Sequence, residues 1–151
     1  MSLFVSTIIN KIDRKGRVSV PALWRSSLTG QGFAGVVCYP SFTTSCLDGM
    51  GMDRLEKIAS SLDRLDIFSP EQDEMAQLVF ASARQLAFDT EGRIMVPEDL
   101  LEHAGLSTEA AFVGRGRTFQ IWEPSALKKA EAEIRRRAAE RRPSLHLGSG
   151  D

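Results

Sequence analysis

An arginine-bearing turn pattern occurs twice in this chain and is its sharpest chemical signal. Residues 13–21 read DRKGRVSVP and residues 89–97 read DTEGRIMVP, with aspartate, glycine and arginine at the same places in both. In such a turn the aspartate can accept backbone hydrogen bonds, and the arginine can present a planar fork of donors to an anion. An arginine turn that is presented twice favours recognition over a single catalytic centre.

Structural and binding roles divide between different residue types in these turns. Aspartate and glycine serve the turn itself, because the carboxylate accepts hydrogen bonds and glycine adopts a positive φ at no steric cost. These structural candidates are Asp13, Gly16, Asp89 and Gly92. The cations are the candidate contacts to double-stranded DNA, namely Arg14, Lys15, Arg17 and Arg93. The alternative is a purely structural turn in which Arg17 pairs with a carboxylate.

The second turn differs from the first in charge. Thr90 and Glu91 stand where the first turn has Arg14 and Lys15. A carboxylate opposes approach to a phosphate backbone. We therefore expect the two turns to have diverged, one toward DNA and the other toward packing.

Two further basic segments are weaker candidates. Arg115-Gly116-Arg117 reads as a basic hairpin turn, which is more typical of a solvated surface than of a binding loop. Arginines at residues 135–137, 141 and 142 lie on the outer faces of a predicted helix. Three roles are open for these arginines: a solvated helix face, a nucleic-acid arm, or an interface with acidic neighbours.

Catalytic chemistry finds little support. The histidines are His103, beside a predicted helix end, and His146 in the tail, while Cys38 and Cys46 form no CxxC pair. The chain has no clustered Cys/His ligand set, no nucleophile elbow and no P-loop. We expect no catalytic residue, no metal site, no cofactor and no small-molecule substrate.

Charge and composition are compatible with an anionic partner in the cytoplasm. The net charge of −1 conceals basic segments at 1–30 and 128–142 that flank acidic ones, and local positive potential is what steers a polyanion. No apolar run approaches the roughly 20 residues of a spanning helix. Basic residues follow the N-terminal apolar stretch, the wrong order for a signal peptide. We expect a cytoplasmic protein with no membrane partner.

Both repeats predict the same order of elements, strand–turn–strand–helix–strand–strand. In the first repeat the short helix PALWRSSL should end at Gly30. The strands are expected at 4–12, around 18–20, at 36–39 and at 45–48, and residues 84–123 repeat this order. The alignment places Gly35–Val37 on Ala111–Val113.

Helical periodicity fills the rest of the chain. Helices are predicted over 52–65, from a cap at Ser69 to 83, and from near Ser125 to 142. The apolar stripes at 52–65 and 71–83 exceed what two small barrels can cover, which predicts a homo-oligomer. The predicted segments are a first repeat (1–51), connecting helices (52–83), a second repeat (84–123), a C-terminal helix (124–142) and a mobile tail (143–151).

The doubled turn resembles the MraZ family of bacterial transcriptional regulators, whose mark is a pair of Asp-x-x-x-Arg motifs, here Asp13/Arg17 and Asp89/Arg93. Trp122-Glu123 and the LEKIASSL and MAQLVFASA stretches support the resemblance, which covers about residues 1–142. It implies an α+β fold in which two AbrB-like swapped-hairpin halves form a pseudo-symmetric β-barrel with flanking helices.

The resemblance also implies ring-like oligomers that bind short direct repeats upstream of the division and cell-wall gene cluster, with the protein at the nucleoid. Two other functions stay open. One is a ring-forming scaffold whose turns bind protein, and the other is an AbrB-like antitoxin. The salt dependence of DNA binding separates the first from a DNA-binding regulator, and a co-purified partner would favour the second.

Overall fold

The computed structural model describes residues 3–147 and shows an α+β fold. The strands are β1 (Thr7–Lys11), β2 (Arg17–Ser19), β3 (Gly35–Pro40), β4 (Leu47–Met50), β5 (Arg84–Ala87), β6 (Arg93–Met95), β7 (Glu109–Gly114) and β8 (Phe119–Trp122). The helices are α1 (Ala22–Thr29), α2 (Met52–Leu62), α3 (Pro70–Met75), α4 (Glu98–Ala104) and α5 (Pro124–Arg141), and a π-helical segment, Ala76–Ala81, continues α3.

The strands form an open antiparallel sheet and a separate ribbon. The sheet has six strands in the order β1-β7-β8-β4-β3-β5, and β2 pairs only with β6. The expected closed barrel is therefore wrong. Each ribbon strand is three residues long and soon meets Pro21 or Pro97, which has no N–H to extend a ladder. An isolated bridge between Ile12, just after β1, and Val18 links β1 to β2, and Asn10 Nδ2 donates to the Ser19 carbonyl at 2.7 Å.

The strand register corrects the alignment of the two halves. Val37 faces Gln85 across β3 and β5, and Ala111 faces Ile9 across β1 and β7. Ile9 and Gln85 stand at the same distance before their turn aspartates. Val37 is therefore the counterpart of Ala111, and the predicted match to Val113 is wrong by two residues. The reason is that α4 and the loop after it are each one residue shorter than α1 and its loop.

The main core lies between the sheet, the ribbon and helices α1 and α4. Its centre is an aromatic cluster in which the Phe4 ring lies 5.3 Å from Trp24 and 5.1 Å from Phe119, both in edge-to-face arrangements. Val18 and Ile94 close the inner face of the ribbon and are 1% and 0% exposed. Because period-2 alternation sends their neighbours outward, the ribbon presents its other face to solvent.

A second apolar cluster lies on the opposite face of the sheet. Val37, Tyr39, Met50 and Val79 are buried there, and half-buried side chains of α2 and α3 cover them. Ser69 caps α3 as the sequence predicts, with its Oγ accepting from the Gln72 N–H at 3.2 Å. The loop before this cap leaves Ile67 and Phe68 on the surface.

Helix α5 packs on the sheet through its first turns. Leu127 is buried with Trp122, Ala111 and Cys46, and the Glu123 carboxylate caps the helix by accepting from the Ala126 N–H at 2.9 Å. Residues 143–147 are exposed and form neither helix nor strand. The rest of the predicted tail, residues 148–151, lies outside the described residues, as do residues 1 and 2.

Candidate nucleic-acid interface

The first turn is built by the Asp13 carboxylate. Its Oδ1 accepts from the backbone N–H groups of Lys15 at 3.0 Å and Arg17 at 2.9 Å, and its Oδ2 accepts from Arg17 Nε at 2.6 Å. Gly16 has a φ of +83°, a conformation that favours glycine. The carboxylate thus fixes the turn and the Arg17 side chain together.

The second turn repeats this geometry. Asp89 Oδ1 accepts from the N–H groups of Glu91 and Arg93, each at 2.9 Å, and Oδ2 accepts from Arg93 Nε at 2.9 Å. Gly92 has a φ of +77°. The turn chemistry is therefore the same in both copies, although the residues between aspartate and glycine differ.

The ribbon brings the two turns into one surface. Arg17 pairs with Met95 and Arg93 pairs with Ser19, on either side of the central Val18–Ile94 pair. Two reciprocal hydrogen bonds extend the pairing, from the Val20 N–H to the Gly92 carbonyl at 3.2 Å and from the Val96 N–H to the Gly16 carbonyl at 2.9 Å. Both arginines consequently lie on the outer face of one short ribbon, with side chains 32% and 27% exposed.

Hydrogen bonding keeps both turn carboxylates charged. The backbone N–H of Arg17 is the largest cause that lowers the pKa of Asp13, and the Arg17 side chain adds to it. The backbone N–H of Arg93 does the same for the pKa of Asp89. The Asp89 carboxylate in turn raises the pKa of Arg93, with smaller contributions from Glu91 and Asp13. Each guanidinium is thus held in one orientation by a charged carboxylate.

The two arginines differ in their remaining neighbours. Glu91 Oε2 lies 3.2 Å from Arg93 Nη2, so two carboxylates engage this guanidinium. Lys15 stands at the corresponding place in the first turn, and both Arg14 and Lys15 are exposed. Counting side-chain charges from aspartate to arginine, the first turn carries a net +2 and the second a net −1. The first turn therefore carries the greater positive charge.

Arg25 is a cation of this surface that the sequence did not single out. It lies on α1, yet its Nη1 donates to the Val20 carbonyl at 2.8 Å, and a Cβ built on Gly92 would meet its Nε at 2.5 Å. A charge from the first half thus lies directly against the acidic second turn. The sequence shows that Arg25 lies on the helix that follows the first turn, four residues after Pro21. It does not show the contact with Gly92, because that residue is distant in the chain.

The other basic segments lie apart from the ribbon. Gly116 has a φ of +86° in the hairpin turn, and Arg115 Nη1 donates to Gln120 Oε1 at 2.9 Å. On α5, Arg136 forms ion pairs with Glu133 at 2.6 Å and Glu140 at 2.9 Å. Neither segment takes part in the β2–β6 pairing that brings the two turns together.

A metal-ligand cluster and a membrane-crossing helix each place requirements on the described residues. Between residues 3 and 147, no three carboxylate, imidazole or thiol groups come together as a metal site. No helix in the same range combines the length and apolar character that crossing a bilayer requires. Both cysteines are buried and unlinked, and burial raises the pKa of the Cys38 thiol to about 12.

Comparison with known proteins gives consistent matches. The family model described as "MraZ protein, putative antitoxin-like" matches residues 79–144. The transcriptional regulator MraZ of Pelagibacter ubique is 46% identical over 143 residues, which cover 95% of this chain and 92% of that protein. The proteins of the same name from Rickettsia canadensis and Rickettsia bellii are each 40% identical, with 96% of this chain and 97% of the relative covered. With identity at this level over nearly its whole length, the chain belongs to the MraZ family.

Proposed function

We propose that this protein is a sequence-specific DNA-binding transcriptional regulator and that the outer face of the β2–β6 ribbon is its DNA contact. The observation that carries the proposal is the pair of arginines, Arg17 and Arg93, each held by an aspartate on one exposed surface. Its relatives are named transcriptional regulators. A guanidinium that is already oriented loses less conformational freedom on binding, so it suits recognition of phosphate or a base edge.

The contact is asymmetric within one chain. The first turn supplies Arg14, Lys15 and Arg17, whereas Glu91 partly neutralises the second. Arg25, at the second turn, restores some positive charge there. One strongly basic turn gives weak binding, and several copies on short direct repeats raise the overall affinity by avidity. For this reason we propose that the protein acts as an oligomer.

The proposed organisation is two diverged AbrB-like units in one chain, residues 1–51 and 84–123, with helices 52–83 between them. The equal hydrogen bonding of the two turns supports this division. Regulation of the division and cell-wall gene cluster, at the nucleoid, follows from the family resemblance and is part of the same proposal.

Paired double variants test the DNA contact. Arg14→Ala with Lys15→Ala should weaken binding to cognate and scrambled duplexes alike and lower the slope of log K against log salt by about 0.9 per lost phosphate contact. Thr90→Ala with Glu91→Ala is the matched control in the other turn and should bind as well as the parent or more tightly. Fluorescence anisotropy across a salt series measures both.

Arg17→Ala separates base reading from phosphate contact. If Arg17 reads a base edge, its loss costs about 1–3 kcal/mol on the cognate site and little on scrambled DNA. Parental binding by the Arg14/Lys15 variant on both duplexes would refute the first turn as the DNA contact. Binding that does not depend on salt would favour the scaffold function.

A further inference from the structure

Two apolar side chains are exposed at the bend between α2 and α3. Ile67 is 72% exposed and Phe68 is 88% exposed. The bend is ordered by local hydrogen bonds, because Asp66 Oδ1 accepts from the Phe68 N–H at 3.0 Å and Ser69 caps α3. Neighbouring large apolar side chains held in solvent by a fixed bend mark an interaction surface.

The same bend is strongly acidic. Residues 63–74, which we term the acidic bend, contain one base, Arg64, and five acids, Asp63, Asp66, Glu71, Asp73 and Glu74. All six are exposed. A partner for this surface therefore needs positive charge around an apolar centre.

The second half of α5 has the complementary character. From residue 132 to 141, Ala138 is the one residue that is even half buried, and Ile134 is 49% exposed. Residues 132–142, which we term the basic arm, carry five arginines against Glu133 and Glu140. A helix of about three turns thus extends beyond its packing on the sheet, with an apolar residue among cations.

We propose that the acidic bend of one copy docks on the basic arm of a second copy. The two surfaces have opposite charge, and each includes exposed apolar area, from Ile67 and Phe68 in the bend and from Ile134 in the arm. Among residues 3–147 of one chain, no hydrogen bond or ion pair joins them. Because the two surfaces differ, every copy carries one acidic bend and one basic arm. The contact is therefore head-to-tail, and copies add one after another until the assembly closes. This inference rests on the oligomer in the proposed function and names its interface.

Charge-reversal variants test the contact directly. One variant carries Asp63→Lys, Asp73→Lys and Glu74→Lys, which change the net charge of the acidic bend from −4 to +2. The other carries Arg135→Glu, Arg141→Glu and Arg142→Glu, which change the net charge of the basic arm from +3 to −3. Within residues 3–147, the side-chain hydrogen bonds and ion pairs involve none of these six side chains. Multi-angle light scattering without DNA gives the mass, and circular dichroism checks the fold.

The parent should show a multiple of the 16.6 kDa chain mass, and each charge-reversal variant alone should show the chain mass, since like charges then meet at every interface. Mixing the two variants should restore the larger mass, because each altered surface then finds its complement on the other variant. Phe68→Ser should raise the dissociation constant about tenfold or more. Leu23→Ser, at a residue that is 85% exposed on α1, is the control and should leave the mass unchanged.

The possible results separate the two proposals. A parent of chain mass overturns both the oligomer and this interface. An oligomeric parent whose charge-reversal variants keep its mass, or stay at chain mass when mixed, overturns the interface alone. DNA binding by the ribbon is measured separately and does not decide either result.

Discussion

Replacing Gly16 by alanine should destabilise the fold more than the same replacement at Gly32. Both glycines have a left-handed backbone, with φ of +83° and +80°. A Cβ at Gly16 would lie 2.9 Å from the Val96 carbonyl oxygen and 3.4 Å from Leu101 Cδ1, whereas at Gly32 it meets nothing within 4 Å. Gly32→Ala therefore measures the backbone strain alone.

The expected losses of stability follow from the backbone strain and from the close contact of the new Cβ. A left-handed alanine costs about 1–2 kcal/mol, which is the whole effect at Gly32. At Gly16 the Val96 carbonyl belongs to the backbone that pairs with the turn, so it must shift, and this adds about 1 kcal/mol or more. In a chain of this size each kcal/mol lowers the Tm by about 2–4 °C. We expect a fall of about 2–8 °C for Gly32→Ala and about 4–12 °C for Gly16→Ala.

Thermal and urea unfolding at one fixed protein concentration measure these differences, since association makes the Tm depend on concentration. Gly92→Ala should fall between the two, because its Cβ meets the flexible Arg25 side chain but displaces the 2.8 Å bond to the Val20 carbonyl. Equal losses at Gly16 and Gly32, within about 0.5 kcal/mol, would refute the contact between the first turn and the Val96 carbonyl.

Three further predictions concern the charged and buried groups. Since the pKa values of Asp13 and Asp89 are lowered in the fold, their stabilising effect is present above the ordinary aspartate pKa of about 3.9 and is lost as the pH falls through the lower folded values. Urea titrations should therefore show a shallower acid decline for Asp13→Asn than for the parent, and an unchanged decline would contradict this. Glu91→Gln should tighten DNA binding in anisotropy measurements, because one of the two carboxylates on Arg93 loses its charge; weaker binding would show that Glu91 assists the contact. The Cys38 thiol, whose pKa burial raises to about 12, should resist alkylation until the protein unfolds, and mass spectrometry that finds rapid native labelling would show that the core opens.

The local chemistry of the turns could be read from the sequence. Each turn aspartate bonds to N–H groups two and four residues ahead of it, so all partners lie within one short motif. The same is true of the Ser69 cap and of the period-2 alternation that buries Val18 and Ile94. Interactions within a few residues depend little on the rest of the chain, and residue type and spacing are enough to predict them.

The partners of the strands depend on the tertiary structure. The sequence predicted a closed barrel, yet β2 and β6 pair with each other and the six other strands form an open sheet. Strand pairing brings together residues far apart in the chain, and no local signal specifies it. The two-residue error in aligning the halves has the same origin, because small differences in α4 and its loop set the register of β7.

The surface that results is also a tertiary property. Residue types identified Arg17 and Arg93 as cations of two separate turns, but the ribbon places them on one face. Arg25 reaches the second turn because α1 packs beside Gly92, and Ile67 and Phe68 remain exposed because the helices around them cover the sheet with their other residues. The sequence by itself determined the turn, its charge and its repetition, since these are short-range features. The packing of distant segments decided which of those charges share a surface and which apolar side chains remain for a partner.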